Sequence, residues 1–245
     1  LVLLAACGQK QAAAPAAPAA KFTAADASIQ SRLDKYATVR LTTDLSKLSE
    51  QDRAILGHFI NAAAGVHDIF WQQAYGDPKP LLDGITDPQL KRLVETNVGP
   101  WDRIDANAPF VAGVGAKPAG ARFYPADMTK EEFEAFADPA KTGLYSLVRR
   151  DDAGKLKLVP YSQAYAAQLK PVAAELRSAA AIASDAQLKK YLELRATALE
   201  TDDYRPSDFA WMEMKRNTVD VVIGPIETYE DQLFGYRAAF EAYVL

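Results

Sequence analysis

The sequence predicts an α+β fold in which helices dominate. Three observations lead to this class: one long segment with a continuous apolar face, several shorter segments with helix caps, and two extended segments flanking an acidic turn. Hydrophobic residues make up 49% of the 245 residues and charged residues 24%, values typical of globular proteins rather than disordered chains. The net charge of −4, without a dense basic stripe, argues against a nucleic-acid partner.

The start of the chain has the composition of an export signal followed by a tether. Residues 1–7 end in Leu-Ala-Ala-Cys, which resembles the bacterial lipobox, whose cysteine becomes the lipid-modified first residue of a lipoprotein. Residues 8–21 are rich in Ala and Pro, as expected of a tether between membrane and domain. We therefore expect residues 1–7 to be the tail of a signal peptide and Cys7 to be lipidated. The alternative is a free cysteine buried in a helical start.

A lipidated Cys7 places the protein in the bacterial cell envelope, held at the membrane by its lipid anchor alone. Gly8 follows the cysteine where an Asp would direct retention, which favours the outer membrane if the cell is Gram-negative. No run of about twenty apolar residues predicts a helix that spans a bilayer.

Residues 22–245 are the predicted folded part, and their first elements are helices. The spacing of Ile29, Leu33 and Tyr36 predicts a helix over residues 24–41. Ser-Glu-Gln-Asp at residues 49–52 predicts the start of a long helix that reaches Tyr75, where Gly-Asp-Pro ends it. Its apolar face consists of Ile55, Phe59, Ala62, Val66, Ile69 and Phe70.

The middle of the chain predicts a β-hairpin between short helices. Two apolar segments, 144–148 and 156–159, flank the turn sequence Asp-Asp-Ala-Gly at residues 151–154. The elements expected before this hairpin are a helix over 87–97, a loop with short extended pieces over 99–124, and a helix from the Thr129 cap through Ala137.

The remaining segments predict three helices, a strand and a final helix. The expected elements are helices over 162–182, with a kink at Pro171, over 185–200, with Ser184 and Gln187 as caps, and over 206–215, then a strand over 220–223. Residues 236–245 have a helical apolar pattern that reaches Leu245 without a residue that ends helices. We therefore expect a helix here and a polypeptide that is truncated inside it.

His58 and His67 are the only histidines, so they are the first candidates for a metal site. They lie nine residues apart on one predicted helix, about 900° of rotation at about 100° per residue, and so they face opposite sides. The sequence also lacks a His-Glu-x-x-His motif, a Gly-x-Ser-x-Gly elbow and a P-loop. With one cysteine, no disulfide forms within the chain. No metal ligand is therefore assigned here.

Residues 223–235, Ile-Gly-Pro-Ile-Glu-Thr-Tyr-Glu-Asp-Gln-Leu-Phe-Gly, are the most informative stretch for chemistry. If this segment stays extended, Glu227 and Tyr229 point to the same face. A carboxylate and a phenol side by side suit a ligand with an ammonium group and a polarised carbonyl. The alternative is an edge strand that ends in a solvated acidic turn.

Residues 223–231, with Phe-Gly at 234–235 and Phe-Glu at 240–241, resemble a signature of the dipeptidyl peptidase III family of zinc metallopeptidases. Three other stretches are similar to bacterial members of that family: 99–103, 123–129 and 206–211. The resemblance implies that Glu227 binds the free N-terminus of a peptide substrate. It also implies that Tyr229 hydrogen-bonds the scissile carbonyl as that carbonyl becomes an oxyanion.

The resemblance further implies a two-lobed zinc enzyme with a wide cleft, of which residues 22–245 supply the N-terminal part and one wall. The family's zinc motif is a His-Glu-x-x-Gly-His helix plus a glutamate, and this chain contains neither. The intact parent is then expected to use zinc to release dipeptides, while this chain alone is expected to be inactive. Two alternatives stay open: a non-enzymatic lipoprotein that binds peptides in the same cleft, and a family member with lost or changed activity.

Overall fold

The computed structural model describes residues 22–245 and shows a helix-rich α+β fold, as the sequence predicts. The helices are α1 (Ile29–Leu33), α2 (Glu50–Ala74), α3 (Lys79–Gly84), α4 (Pro88–Asn97), α5 (Lys130–Ala135), α6 (Tyr161–Ala164), α7 (Ala166–Ile182), α8 (Ala186–Thr201) and α9 (Arg205–Glu213). The strands are β1 (Trp101–Asp102), β2 (Ala108–Pro109), β3 (Ser146–Arg150), β4 (Leu156–Pro160), β5 (Val221–Glu227) and β6 (Ala239–Val244). The predictions for Cys7 and the tether 8–21 lie outside the described residues.

Helix α2 is the central element, and its limits follow from the sequence. The side chain of Ser49 accepts a hydrogen bond from the backbone of Asp52, whose carboxylate accepts one from the backbone of Ser49 in return. This capping box satisfies backbone donors that a helix start leaves free. Gly76, at a φ of +118°, lets the chain leave the helix at its other end. The long helix predicted from residue 49 to Tyr75 is therefore confirmed.

Helix α2 contributes to two hydrophobic clusters. Phe59 and Ile69 pack in a larger cluster with α7, α8, the β3–β4 hairpin and the β5–β6 pair. Trp71, in the last turn of α2, packs instead in a smaller cluster with short helices and with Phe110. The buried members of the smaller cluster are Ile29, Trp71, Leu81, Ile85, Leu90, Leu93, Val94, Phe110 and Val111.

The described strands form three antiparallel pairs: β1 with β2, β3 with β4, and β5 with β6. The predicted hairpin is confirmed as β3–β4, in which Leu147 lies opposite Val159 and the turn contains Gly154 at a φ of +79°. In the β5–β6 pair, Gly224 lies opposite Glu241, and a bulge follows between Pro225 and Glu227. None of the helices within residues 22–245 is both long and apolar enough to cross a bilayer.

The structure corrects the helix predicted over residues 236–245. This segment forms strand β6, because its backbone pairs with β5 over the register from Val244 to Ala239. Two buried side chains also bind its start: the hydroxyl of Tyr161 donates to the carbonyl of Ala238, and the side-chain oxygen of Gln73 accepts from the amide of Phe240. These long-range partners outweigh the local helical pattern.

Other element boundaries also differ from the predictions. The helix predicted over 24–41 is only α1, and the helix predicted over 162–182 is interrupted at the buried Tyr165, between α6 and α7. Asp185 caps α8 in place of the predicted Ser184, because its carboxylate accepts the amide hydrogens of Gln187 and Leu188. Helix α3 was not predicted, and β5 continues beyond the predicted end at residue 223.

Candidate functional site

The two histidines lie in separate surroundings, as their spacing on α2 predicts. Nδ1 of His58 lies 2.7 Å from Oε2 of Glu175 on α7. The ring of His67 instead accepts a hydrogen bond of 3.2 Å from the indole of Trp71, one turn further along α2. Within residues 22–245, no group of three or more His, Cys, Asp or Glu side chains is arranged to hold a metal ion. The residues described here therefore do not fit the zinc that the family resemblance implies.

The motif at residues 223–235 lies at the end of β5, where the chain turns towards β6. Strand β5 ends at Glu227, and Tyr229 belongs to the turn that follows, which is closed by a 3.1 Å hydrogen bond from the amide of Asp231 to the carbonyl of Thr228. The segment is therefore not extended through Tyr229. The strand-geometry argument for placing Glu227 and Tyr229 on one face does not apply.

Gly224 shows why the motif needs a glycine within the strand. Its φ is +138°, a conformation that residues with a side chain rarely adopt. A Cβ atom there would also lie 3.2 Å from the ring of Tyr204 and 3.3 Å from Nη1 of Arg195. Arg195 is held by Asp208 of α9, with 2.5 Å between Nη2 and the carboxylate. Helices α8 and α9 therefore support the strand that carries Glu227.

The acidic and phenolic residues of the motif divide into an accessible pair and a buried pair. The side chain of Tyr229 is 79% exposed, and Glu227 is half-buried at the end of its strand. Glu230 and Asp231, which follow directly, are only 5% and 3% exposed. An acidic pair in a turn is commonly solvated, so its burial here is a finding that the sequence does not predict.

Tyr243 lies on the paired strand β6, where its backbone is opposite Val222. The hydroxyl of Tyr243 donates a 2.6 Å hydrogen bond to Glu241, and this bond is the main reason that the pKa of Tyr243 rises to about 12. The charge of Glu227 and the phenol of Tyr229 add smaller contributions in the same direction. Glu227, Glu241 and Tyr243 are thus the ionisable side chains of the β5–β6 pair, and Tyr229 lies in the turn after β5.

Cavities flank this strand pair on both sides. One, of about 240 Å³, lies between α2 and β6, where Glu241 and Tyr243 form part of its wall. The other, of about 360 Å³, lies beside β5 at Pro225 and Ile226. A larger cavity of about 700 Å³ lies elsewhere, with Arg122 and Arg149 in its wall. The motif is therefore a candidate site because of its side chains, and not because it lines the cavity of about 700 Å³.

The geometry permits a definite division of chemical roles. A carboxylate at Glu227 attracts a cation such as an ammonium group, and hydrogen-bonded charge pairs of this kind are stronger than neutral ones. The exposed hydroxyl of Tyr229 is free to donate to an oxygen that gains negative charge during a reaction. Neither side chain is a nucleophile paired with a base, so the chemistry of these two residues suits binding and polarising a ligand rather than attacking it.

Comparisons with known proteins agree with the resemblance seen in the sequence. The family model of peptidase family M49 matches residues 144–245, a segment that includes the motif. The structure of DPP III from Caldithrix abyssi is 39% identical with a TM-score of 0.83, and covers 88% of this chain and 43% of that protein. The structure of dipeptidyl-peptidase III from Corallococcus sp. strain EGB is 38% identical with a TM-score of 0.84, and covers 88% and 42%.

A plant protein named Nudix hydrolase 3, from Arabidopsis thaliana, is 30% identical to this chain over 279 aligned residues. The match covers 89% of this chain and 36% of the plant protein. The chain thus spans less than half the length of each of these relatives. Its fold and sequence resemble dipeptidyl peptidase III over most of its length, which confirms the family suggested by the motif at residues 223–231.

Proposed function

We propose that this chain is the N-terminal part of a longer peptidase that releases dipeptides from peptide N-termini, because the family model of peptidase family M49 matches residues 144–245. The observation that carries the proposal is that Glu227, at the end of β5, and the exposed Tyr229, in the turn that follows it, both lie within the segment that the family model matches. The similarity to two dipeptidyl peptidase III structures supports it. The name of the plant relative adds no second function, since the chain covers only 36% of that protein.

In this proposal Glu227 binds the ammonium group of the substrate and Tyr229 binds the scissile carbonyl. The carboxylate contact is made before and during the reaction, so it contributes to binding of both ground state and transition state. The phenol contact strengthens as the carbonyl oxygen becomes an oxyanion, so it contributes mainly to the rate. The free N-terminus and the carbonyl of the scissile bond would then be recognised by neighbouring residues of one short segment.

The metal of the proposed peptidase is not bound by the residues described here. Peptidases of this family are metallopeptidases, and we propose that zinc ligands come from the part of the parent that this chain does not cover. When bound, such an ion supplies Lewis acidity and an activated water molecule. The role of residues 22–245 is to bind and orient the peptide beside it, and on their own they are expected to be inactive.

The experiment that tests the proposed roles is steady-state kinetics of the full-length parent on short peptides. Tyr229→Phe is expected to lower kcat by about 100- to 1000-fold with little change in KM, because one oxyanion donor is lost. Glu227→Gln is expected to act mainly on KM, because it removes a charge that pairs with the substrate in both states. N-acetylation of the peptide should reproduce that loss and add little to Glu227→Gln.

The matched control is Tyr243→Phe, which removes an exposed hydroxyl from the same strand pair, one that already donates to Glu241. It is expected to leave kcat within about twofold, because the proposal assigns this hydroxyl no contact with the substrate and substitutions of exposed residues are usually mild. Near wild-type kinetics in both motif variants would show that the motif only packs and that the site lies elsewhere. Peptide binding without hydrolysis by the intact wild type would favour the non-enzymatic alternative.

We also propose that the parent is anchored to the bacterial cell envelope through a lipid on Cys7. The support is the lipobox-like sequence before Cys7 and the Ala- and Pro-rich stretch 8–21 after it. Mass spectrometry of the N-terminal peptide from native membranes should find a diacylglyceryl cysteine as the first residue. Cys7→Ser should release the protein from the membrane fraction, and an unmodified Cys7 in the mature protein would refute the anchor.

A further inference from the structure

The exposed side chain of Tyr229 is not fixed in position by packing against other side chains. A side chain that is 79% exposed depends on its own backbone for a fixed position. Binding an oxyanion requires a donor placed to within a fraction of an ångström, and a misplacement of about 1 Å can lower a rate by about 100-fold. The structure must therefore fix the turn at residues 228–231 by some other contact.

Glu230, the next residue, is fixed by two cations from another part of the chain. Its Oε2 lies 2.7 Å from Nη1 of Arg103, and its Oε1 lies 2.5 Å from Nζ of Lys117. Burial would raise the pKa of Glu230, but the two cations outweigh burial and lower it below its ordinary value. The carboxylate is thus charged at neutral pH and is held from both sides. The residue that follows Tyr229 in the chain cannot shift without breaking these contacts.

Arg103 is itself firmly positioned. Its Nε donates a 2.6 Å hydrogen bond to the carbonyl of Asn97, and its amide donates a 2.8 Å hydrogen bond to the side chain of that residue. Asn97 is the buried last residue of α4. The guanidinium also lies over the ring of Phe70 on α2, 5.3 Å from its centre. Arg103, which binds Glu230, is therefore fixed by contacts with both α4 and α2.

Asp231 fixes the other side of the turn. Its carboxylate accepts a 2.7 Å hydrogen bond from the hydroxyl of Tyr124. It also accepts backbone amide hydrogens at 2.9–3.2 Å, from Leu233, Phe234, Tyr236 and Arg237. A single buried carboxylate thus organises the whole connection from β5 to β6. Tyr124 links that connection to segment 122–125, more than one hundred residues earlier in the chain.

Two of the family-like stretches are explained by these contacts, since Arg103 belongs to residues 99–103 and Tyr124 to residues 123–129. We propose that Arg103 and Tyr124 are positioning residues, which act through Glu230 and Asp231 to hold the hydroxyl of Tyr229 where the substrate carbonyl is bound. This inference rests on the proposed function of Tyr229. It assigns Arg103 and Tyr124 no contact with the substrate.

The test is a double-mutant cycle in the full-length parent. Arg103→Lys keeps the charge but cannot keep both the Asn97 and the Glu230 contacts, because lysine lacks the planar fork of arginine. Alone, it should lower kcat by about 10- to 100-fold and leave KM within about twofold. In a Tyr229→Phe background, the same substitution should lower kcat by less than about threefold, because the donor that it positions is already absent.

Tyr124→Phe is the second variant, and it removes only the hydroxyl that binds Asp231. It should show the same pattern with a smaller loss in kcat, since four backbone amides still bind the carboxylate. If Arg103→Lys does not fold, as judged by circular dichroism, Tyr124→Phe decides the question. The matched control is Arg150→Lys on β3, which removes the two-bond pairing of the guanidinium with Glu132 of α5 and should leave kcat unchanged in both backgrounds.

The outcomes separate this inference from the proposed function. Equal losses of kcat in the wild-type and Tyr229→Phe backgrounds would show a general structural role and overturn the inference. Loss of activity in Tyr229→Phe, with wild-type kinetics in both Arg103→Lys and Tyr124→Phe, would also overturn it while leaving the proposed function intact. Wild-type kinetics in Tyr229→Phe would instead refute the role of Tyr229, and the inference would fall with it.

Discussion

The two hydrophobic clusters of this chain are built from different kinds of element. The larger one joins the long helices α2, α7 and α8 to paired strands, whereas the smaller one joins short helices to the loop around Phe110 and Val111. The strand pair that carries Glu227 belongs to the larger cluster, but Arg103, which binds Glu230, extends from the loop beside the smaller one. The part of the chain with the larger cluster therefore carries the candidate site, and a residue beside the smaller cluster helps to fix its position.

The largest expected effect comes from truncating one buried side chain in each of the two clusters. Phe59→Ala should lower the free energy of unfolding by about 3–5 kcal/mol, and Leu93→Ala by about 2–5 kcal/mol, since each leaves a cavity in a packed interior. Hydrogen exchange of the full-length parent should show lost protection in α2, α7 and α8 for the first. For the second, the loss should concentrate in residues 79–119.

Ile60→Ala, at an exposed position of α2, is the control for both truncations. It should lower the free energy of unfolding far less, because the side chain of Ile60 is already largely in water. Identical patterns of lost protection in Phe59→Ala and Leu93→Ala would mean that the clusters unfold as one cooperative unit. The distinction between a carrying and a positioning part would then be wrong.

A smaller effect is expected from a change in pH, which titrates Glu230 and so changes its contact with Arg103. The pKa of Glu230 is lowered in the folded protein, so its contribution to stability is complete above the ordinary value of 4.5 and is lost as the pH falls through the lower folded value. Glu230→Gln lacks this contribution at every pH. The difference in Tm between wild type and Glu230→Gln should therefore be largest at neutral pH and shrink below about pH 4.5.

A constant difference in Tm across that pH range would show that the charge of Glu230 does not stabilise the fold. The contact with Arg103 would then be replaceable by a neutral hydrogen bond. Glu132→Gln, which removes the partner of Arg150 in the hairpin, is the comparison for an ion pair that does not join the clusters.

The smallest effect concerns the start of α2 within the larger cluster. Ser49→Ala removes the hydroxyl that accepts the amide hydrogen of Asp52, and loss of such a cap costs about 1 kcal/mol of unfolding free energy. Thermal denaturation should detect it, and hydrogen exchange should place it in the first turn of α2. Ser178→Ala, at an exposed position within α7, should not destabilise the protein, because alanine favours helix. Equal effects of both substitutions would show that the capping box contributes nothing.

Local patterns determined the elements whose stabilising contacts are near in sequence. The capping box at Ser49 determines the start of α2 because its hydrogen bonds join residues 49 and 52, and the spacing of apolar residues marks the face of the helix that is buried. The hairpin is determined in the same way by the turn at residues 151–154. The motif at residues 223–231 is also recognisable, because its glycine, carboxylate and phenol lie close together in the sequence.

Only the tertiary structure decided the form of residues 236–245 and the burial of Glu230 and Asp231. Strand β6 forms because its backbone pairs with that of β5. This pairing overrides a sequence pattern that by itself predicts a helix. The acidic turn is buried because Arg103 and Lys117 pair with Glu230 and the hydroxyl of Tyr124 donates to Asp231, all from more than one hundred residues away in the sequence. Such partners leave no periodic or local trace, so a single sequence specifies the chemistry of the motif but not the contacts that hold it in place.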